Sequence, residues 1–290
     1  MSARGQLDMA WNVLKHNRPG MAALCFLAVV LAAGLLAPLI APYDPLAVDM
    51  KARLASCSLE HLLGTDHLGR DLFSRLVYGA RTSLGLALVI MLVTVSLGSL
   101  LGLAAGTFRG LFDSVLMRLM DMLLSFPSEV LVLALVGMAG PGMENAFAAC
   151  VLARWPWYAR MARSITLRFR DMNYVLYARV AGFSRTRILF RHIVPGAAGE
   201  LSVLATLDCA SVLLTISALS FLGLGVQPPV PEWGTMLGEA RNVMILHPWQ
   251  MLPPGLAILL VVAAFNFLGD ALRDAFDPCF DPRGTTRRKA

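Results

Sequence analysis

The sequence predicts an all-α protein that crosses a membrane several times. Three observations carry this. Of 290 residues, 57% are hydrophobic and only 15% are charged, against roughly 25% charged in a soluble domain. The mean hydropathy is +0.65. The apolar residues also come in blocks near the roughly 20 residues that a helix needs to cross a bilayer. This excludes a disordered chain and argues against an ordinary soluble enzyme.

Six blocks are long enough, at about 21–40, 83–106, 114–138, 143–162, 199–222 and 251–271. The first follows Lys15 and Arg18 as a signal peptide would. It is longer than a signal-peptide core and no small-x-small cleavage site follows, so it reads as an uncleaved anchor. In the second, Gly98, Gly102 and Gly106 recur every four residues, a small-residue stripe that lets another helix approach closely. The third contains Pro127, tolerable where neighbours satisfy the freed carbonyl. The third and fourth also carry charges. The resulting organisation is an N-terminal segment 1–20, one membrane domain 21–278 and a tail 279–290. None of the loops at 41–82, 163–198 and 223–250 is long enough to build a sizeable core alone.

Arginine sets the orientation. The net charge is +6, and only Lys15, Lys51 and Lys289 are lysines. Basic residues gather before the first block (Arg4, Lys15, Arg18), between the fourth and fifth, and after the sixth (Arg273, Arg283, Arg287, Arg288, Lys289). Six spans put all three regions on one side, which the positive-inside rule makes the cytoplasm. Both termini are therefore expected there. The loop after the first span is an exception, with Lys51, Arg53, Arg70, Arg75 and Arg81 offset by Asp44, Asp49, Glu60, Asp66 and Asp71. Within it, Leu72, Phe73, Leu76 and Val77 share one helical face opposite Asp71, Ser74 and Arg75. That pattern suggests a helix lying on the membrane.

The loop at 163–198 is the most informative. Asp171 is placed to cap a helix over 172–181 that ends at Gly182, and Ser184 to cap a second over 185–193 that Pro195 stops. Tyr174, Tyr177 and Phe183 are aromatics with little local core to bury them, as interface anchors are. Three readings fit: a basic loop on anionic headgroups, a DNA-binding helix-turn-helix, or a docking knob for a cytoplasmic partner. The position between two spans argues against DNA, and the knob is favoured. No lysine follows a glycine, so the chain has no Walker A motif, and it has no HExxH or GxSxG. Its five histidines are scattered, and its five cysteines, Cys25, Cys57, Cys150, Cys209 and Cys279, form no CxxC. If transport uses ATP, another subunit hydrolyses it.

Several motifs resemble those of a known family. The stretch 61–84, HLLGTDHLGRDLFSRLVYGARTSL, resembles a segment after the first span of the dipeptide/oligopeptide/nickel ABC importer permeases. So do WPWYAR at 155–160, LSFLGLG at 219–225, EWG at 232–234 and GDALRD at 269–274. The resemblance runs from about 20 to 278 and is nearest to the second permease subunit, with a lean towards nickel or metal-chelate members. It implies the type I ABC importer permease fold, in a bacterial inner membrane. It also implies a second homologous permease, two cytoplasmic ATPases that bind ATP and Mg, and an extracytoplasmic binding protein; no cofactor on this chain is implied. The knob would then be the family's coupling loop, with Tyr174, Leu176, Tyr177, Ala178, Gly182, Phe183, Arg185 and Arg187 meeting an ATPase. Leu176 stands where the family pattern has glutamate.

Ionisable groups inside spans are expensive and are pathway candidates by default. Here they are Asp121, Glu129, Arg154 and Asp208, with the amide Asn266. The competing reading is an interhelical ion pair, for instance between Arg118 or Arg154 and a carboxylate. Ile216 stands where peptide-type members often have glutamate, and Asp208 where nickel-type members have aspartate, which leans towards nickel or a metal chelate over a peptide. No metal ligands are assigned. The rivals from other classes are a stand-alone secondary transporter or channel and a membrane scaffold without a pathway.

Overall fold

A computed structural model of the chain describes residues 11–12 and 14–276. Among these residues the secondary structure is helical, apart from one isolated bridge between Thr65 and Asp71. The principal helices are α1 (Arg18–Leu35), α2 (Leu72–Phe108), α3 (Leu111–Leu123), α4 (Ser128–Ala139), α5 (Met143–Arg170), α6 (Asn173–Val180), α7 (Val194–Phe221), α8 (Trp233–Arg241) and α9 (Leu252–Phe276). The tail 279–290 and residues 1–10 of the N-terminal segment lie outside the described residues, and the charges expected there with them.

Among the described residues four helices qualify as spans by length and composition: α1, α2, the run Arg185–Phe221 and Pro248–Phe276. The third expected span is broken. Here α3 and α4 meet at an 83° bend, with Pro127 in extended geometry as the N-cap of α4. A proline lacks an N–H and clashes with the preceding turn, so the helix restarts rather than continues. The fourth expected span lies within α5, which does not qualify. Arg154, Arg160 and the run WPWY at 155–158 dilute its apolar character. Even so, α5 is 28 residues, about 42 Å long at 1.5 Å per residue.

The close packing of α2 and α5 follows from the glycine stripe. A Cβ on Gly102 would run into the backbone carbonyl of Ala159, and one on Gly98 or Gly106 into Tyr158 or Thr166. Without side chains there, the two backbones touch. The main core is built from Leu84, Ala87 and Ile90 of α2, Ala149, Cys150 and Tyr158 of α5, Leu213 and Ile216 of α7, and Val261 and Phe265 of α9.

The expected membrane-surface helix at the start of α2 is not separate. It is the first turns of one 37-residue helix, and its polar face is buried. Arg75 is 0% exposed and meets Glu239 at 2.8 Å, while Arg70 meets Asp66 at 2.6 Å and Glu239 at 2.9 Å. Amphipathicity marked the right face, but carboxylates from 41–82 and α8 cover it in place of water. Asp71 caps α2 through the Ser74 N–H at 2.7 Å and accepts from His61 at 2.9 Å if that ring nitrogen carries the proton. Ser83 donates to Glu232 at 2.9 Å and accepts from the Trp233 N–H at 3.1 Å. The loops before α2 and around α8 thus form one cap.

In the basic loop, α6 covers Asn173–Val180, and its N-cap is Met172. Asp171 instead follows the end of α5. Ser184 does cap the next turn, Arg185–Ile188. Pro195 does not stop the chain. A π-helical stretch, Leu189–Ile193, leads directly into α7, with Pro195 in its first turn. A first-turn proline needs no N–H donor, and the wider π turn accommodates its ring.

Candidate functional site

Two groups of expected residues come together. The first surrounds the break between α3 and α4. Arg154 of α5 is 8% exposed and donates to Asp208 of α7 at 2.9 Å. Its other end donates to Thr215 at 2.9 Å and Ser211 at 3.1 Å. Tyr158 donates to the second Asp208 oxygen at 3.1 Å. Glu129, in the first turn of α4, lies 3.9 Å from Arg154. Arg154, Asp208, Ser211, Tyr158 and Glu129, with Leu124, Phe126, Ser128, Ala153 and Trp157, line a cavity of about 410 Å³; Thr215 holds Arg154 from behind it. The restarted helix positions Glu129: had the helix run straight through Pro127, the α4 N-terminus would not lie there.

This arrangement favours the interhelical ion pair for Asp208, with Arg154 rather than Arg118 as partner. The carboxylate is already neutralised by a guanidinium and accepts a further hydrogen bond from a phenol. What the cavity presents is a paired cation and anion, the hydroxyls of Ser128, Tyr158 and Ser211, and a largely exposed second carboxylate, Glu129. Asp121 pairs with Arg160, both exposed. Asn266 is exposed on α9 and does not line the cavity. Tyr158, Ser211 and Thr215 were missed as site residues. Tyr158 lay within a noted motif, and the two serine-threonine positions sit one and two turns past Asp208, on its helical face.

The second group is the basic loop. Tyr177 is 74% exposed, and Leu176, Tyr174 and Phe183 are also exposed. Ala178 is buried with Val175 against Leu103, Ile165 and Ile188, so it anchors α6 rather than faces outward. Gly182 takes φ +80°, the left-handed geometry of a helix end. Phe183 stacks on His192 with ring centroids 6.4 Å apart, and Arg187 lies 5.4 Å over the Phe183 ring. Burial pushes the Tyr174 phenol above its ordinary value, so it stays neutral at physiological pH. Arg185 donates weakly to the Phe108 carbonyl at 3.5 Å, which ties the loop to the end of α2. Among the described residues, no three His, Cys, Asp or Glu side chains are grouped to hold a metal ion.

Residues 98–281 match the family described as "Binding-protein-dependent transport system inner membrane component". The chain belongs to that family. Residues 5–56 also match the N-terminal transmembrane domain of oligopeptide transport permease C. The permease is 44% identical to the nickel transport system permease protein NikC of Escherichia coli (strain K12), over 82% of this chain and 86% of that one. It is 42% identical to the metal-staphylopine import system permease protein CntC of Staphylococcus aureus (strain Mu50 / ATCC 700699), over 91% and 92%. It is 41% identical to the di/tripeptide transport system permease protein DppC of Pseudomonas aeruginosa (strain UCBPP-PA14), over 92% and 90%. A chain in inward-facing structures of the MetNI methionine ABC transporter shares the fold, with a TM-score of 0.56 at 17% identity over 70% of this chain and 97% of that one. The protein is thus a multi-pass membrane permease subunit of an ABC importer, and its family is not an ATPase family.

Proposed function

We propose that the permease supplies half of the translocation pathway for nickel or a metal chelate, with both termini and the basic loop in the cytoplasm of a bacterium. The Arg154–Asp208 pair facing Glu129 across the cavity carries this reading. A bare divalent cation needs several oxygen or nitrogen ligands, and Asp208 is occupied. A chelate that carries carboxylates as well as a metal finds here a guanidinium and, in Glu129, an exposed carboxylate held to it only at 3.9 Å. Within the reading, the paired charges therefore favour the chelate over the naked ion. They would also suit the two termini of a short peptide, which is the second reading.

Six crossings are supported by how helix ends group. The Gly142 N–H at the start of α5 donates to Leu224 just past α7, at 3.2 Å. At its other end, Arg170 lines a cavity with Thr107 of α2 and the basic loop. α5 therefore runs between opposite ends of the molecule, as a spanning helix does. α6 would dock through its exposed residues, Tyr177 foremost, on one of two ATPase subunits that bind ATP and Mg, while Phe183 and Arg185 line the cavity beside it. A second permease would complete the pathway, and a binding protein would deliver substrate to the cap opposite. ATPase closure would then move the knob and tilt α3 to α7.

Uptake by cells with and without this chain tests the substrate. Nickel, cobalt and zinc are followed by elemental mass spectrometry, as free salts and as chelates, beside a labelled dipeptide. Loss of metal or chelate uptake alone is expected. Loss of dipeptide uptake alone would overturn the metal reading and leave the importer assignment standing.

A further inference from the structure

At the basic end of the molecule lies a second cavity of about 400 Å³, within the roughly 300–1,000 Å³ of small-ligand sites. Part of its wall is apolar, from Val175, Phe183, Ile188 and Ile193. The rest is Thr107, Ser184 and three guanidinium groups, Arg170, Arg179 and Arg185. No carboxylate lines it. Among the described residues none of the three arginines forms an ion pair. One terminal nitrogen of Arg170, Nη1, is shielded from solvent with no hydrogen-bond partner. Arg170 lies past the expected span. Burial, and then repulsion from Arg109 and Arg179, push its guanidinium below its ordinary value, with Asp171 offsetting only part. Other arginines that are buried or half-buried, Arg70, Arg75, Arg154 and Arg163, have carboxylate partners.

We propose that this cavity binds the phosphate group of an anionic membrane phospholipid. Guanidinium forks and the Ser184 hydroxyl are donors that a phosphate's oxygens accept from, while the Thr107 hydroxyl already donates to the Leu103 carbonyl at 2.8 Å. The location favours a lipid as the source. Thr107 and Arg170 sit at the ends of α2 and α5, at the level where headgroups meet the expected spans. Basic pockets between helix ends at this depth hold anionic headgroups. The apolar part of the wall suits the glycerol carbons. A protein partner docking on α6 would meet its most exposed residues, Tyr177 and Val180, neither of which lines the cavity. A bound phosphate would bridge α2, α5 and the basic loop, fixing the loop against the bundle. The site rests on the basic end lying at the membrane surface, not on the choice of substrate.

The test uses the assembled importer purified with its partner subunits. Phosphatidylglycerol is titrated against phosphatidylcholine at constant total lipid, inorganic phosphate is titrated separately, and the melting midpoint is read. Phosphatidylglycerol is expected to raise the wild-type midpoint by about 3 °C. Arg170→Gln/Arg179→Gln should lose most of that gain, and Arg179→Gln alone, at an exposed position, about half. Arg191→Gln, exposed on the same loop but outside the cavity, should keep it. An unchanged gain in the cavity variants would overturn the site, as would equal loss in Arg191→Gln, which would mean diffuse surface attraction. Full reproduction of the gain by inorganic phosphate would overturn the lipid as occupant. A wrong coupling assignment would show differently, as normal uptake by Gly182→Val with the lipid response intact.

Discussion

Gly182 holds φ +80°, and nothing lies within 4 Å of where its Cβ would be. A substitution there is therefore strained by backbone geometry, not by crowding, and a β-branched residue is the most disfavoured. Gly182→Val should cost the loop about 1–3 kcal/mol and cut uptake while membrane insertion, followed by fractionation, stays normal. Uptake at the wild-type level would remove the loop from the coupling path. Arg154 and Asp208 behave as a pair. Arg154→Gln leaves the Asp208 carboxylate with Tyr158 as its donor, and should lower stability by about 2–3 kcal/mol in a thermal melt of the assembled importer. Asp208→Asn keeps an acceptor for Arg154 and Tyr158. It should assemble normally and transport about tenfold more slowly, the difference between a charge-assisted and a neutral hydrogen bond. Equal loss of assembly and uptake would make Asp208 a structural residue only. The sequence marked both residues because charges inside apolar blocks stand out. It did not reveal that they meet, because their separation of 54 positions is bridged only when α5 packs on α7.

Elements were legible where a local pattern decides them. The apolar blocks of α1, α2, α7 and α9, the Ser184 cap and the helix end at Gly182 all follow from nearest-neighbour chemistry. Two prolines were misread for physical reasons. Pro127 was taken as tolerable inside a span, but an 83° bend stands there, and the bend delivers Glu129 to the cavity. Pro195 was taken as a stop, but a π-helical stretch absorbs it. The glycine stripe of α2 gives the firmest element-scale prediction. Gly102→Leu would force a side chain into the Ala159 carbonyl and push α2 from α5. A loss of about 3 kcal/mol or more and poor assembly, seen as reduced protein after membrane extraction, are expected. Gly137→Leu, where a Cβ meets nothing within 4 Å, serves as the tolerant control.

The whole molecule is held at one end by a buried network and at the other by the basic loop. Glu239 serves Arg70 and Arg75 together. Glu239→Gln should therefore unsettle both guanidinium groups, destabilising the cap by about 3 kcal/mol. Limited proteolysis of the loop at 41–71 should become faster, with the basic loop unaffected. A uniform rise in cleavage across both ends would show instead that the cap is not an independent unit. The motif at 61–84 was legible as a family feature, yet its physical work was hidden. Most of its charges build this cap rather than meet solvent or lipid.

Composition and periodicity alone determined that the chain is a helical membrane protein, and several spaced motifs determined its family. These signals depend on residues close in sequence, or on fixed segments in order. Only the tertiary structure decided which charges pair, that Asp208 is neutralised by Arg154, and that Arg170, Arg179 and Arg185 converge without an ion pair among the described residues. Those outcomes depend on helices from distant parts of the chain packing at one depth. No local pattern encodes that depth, because it is set by where small residues let backbones touch.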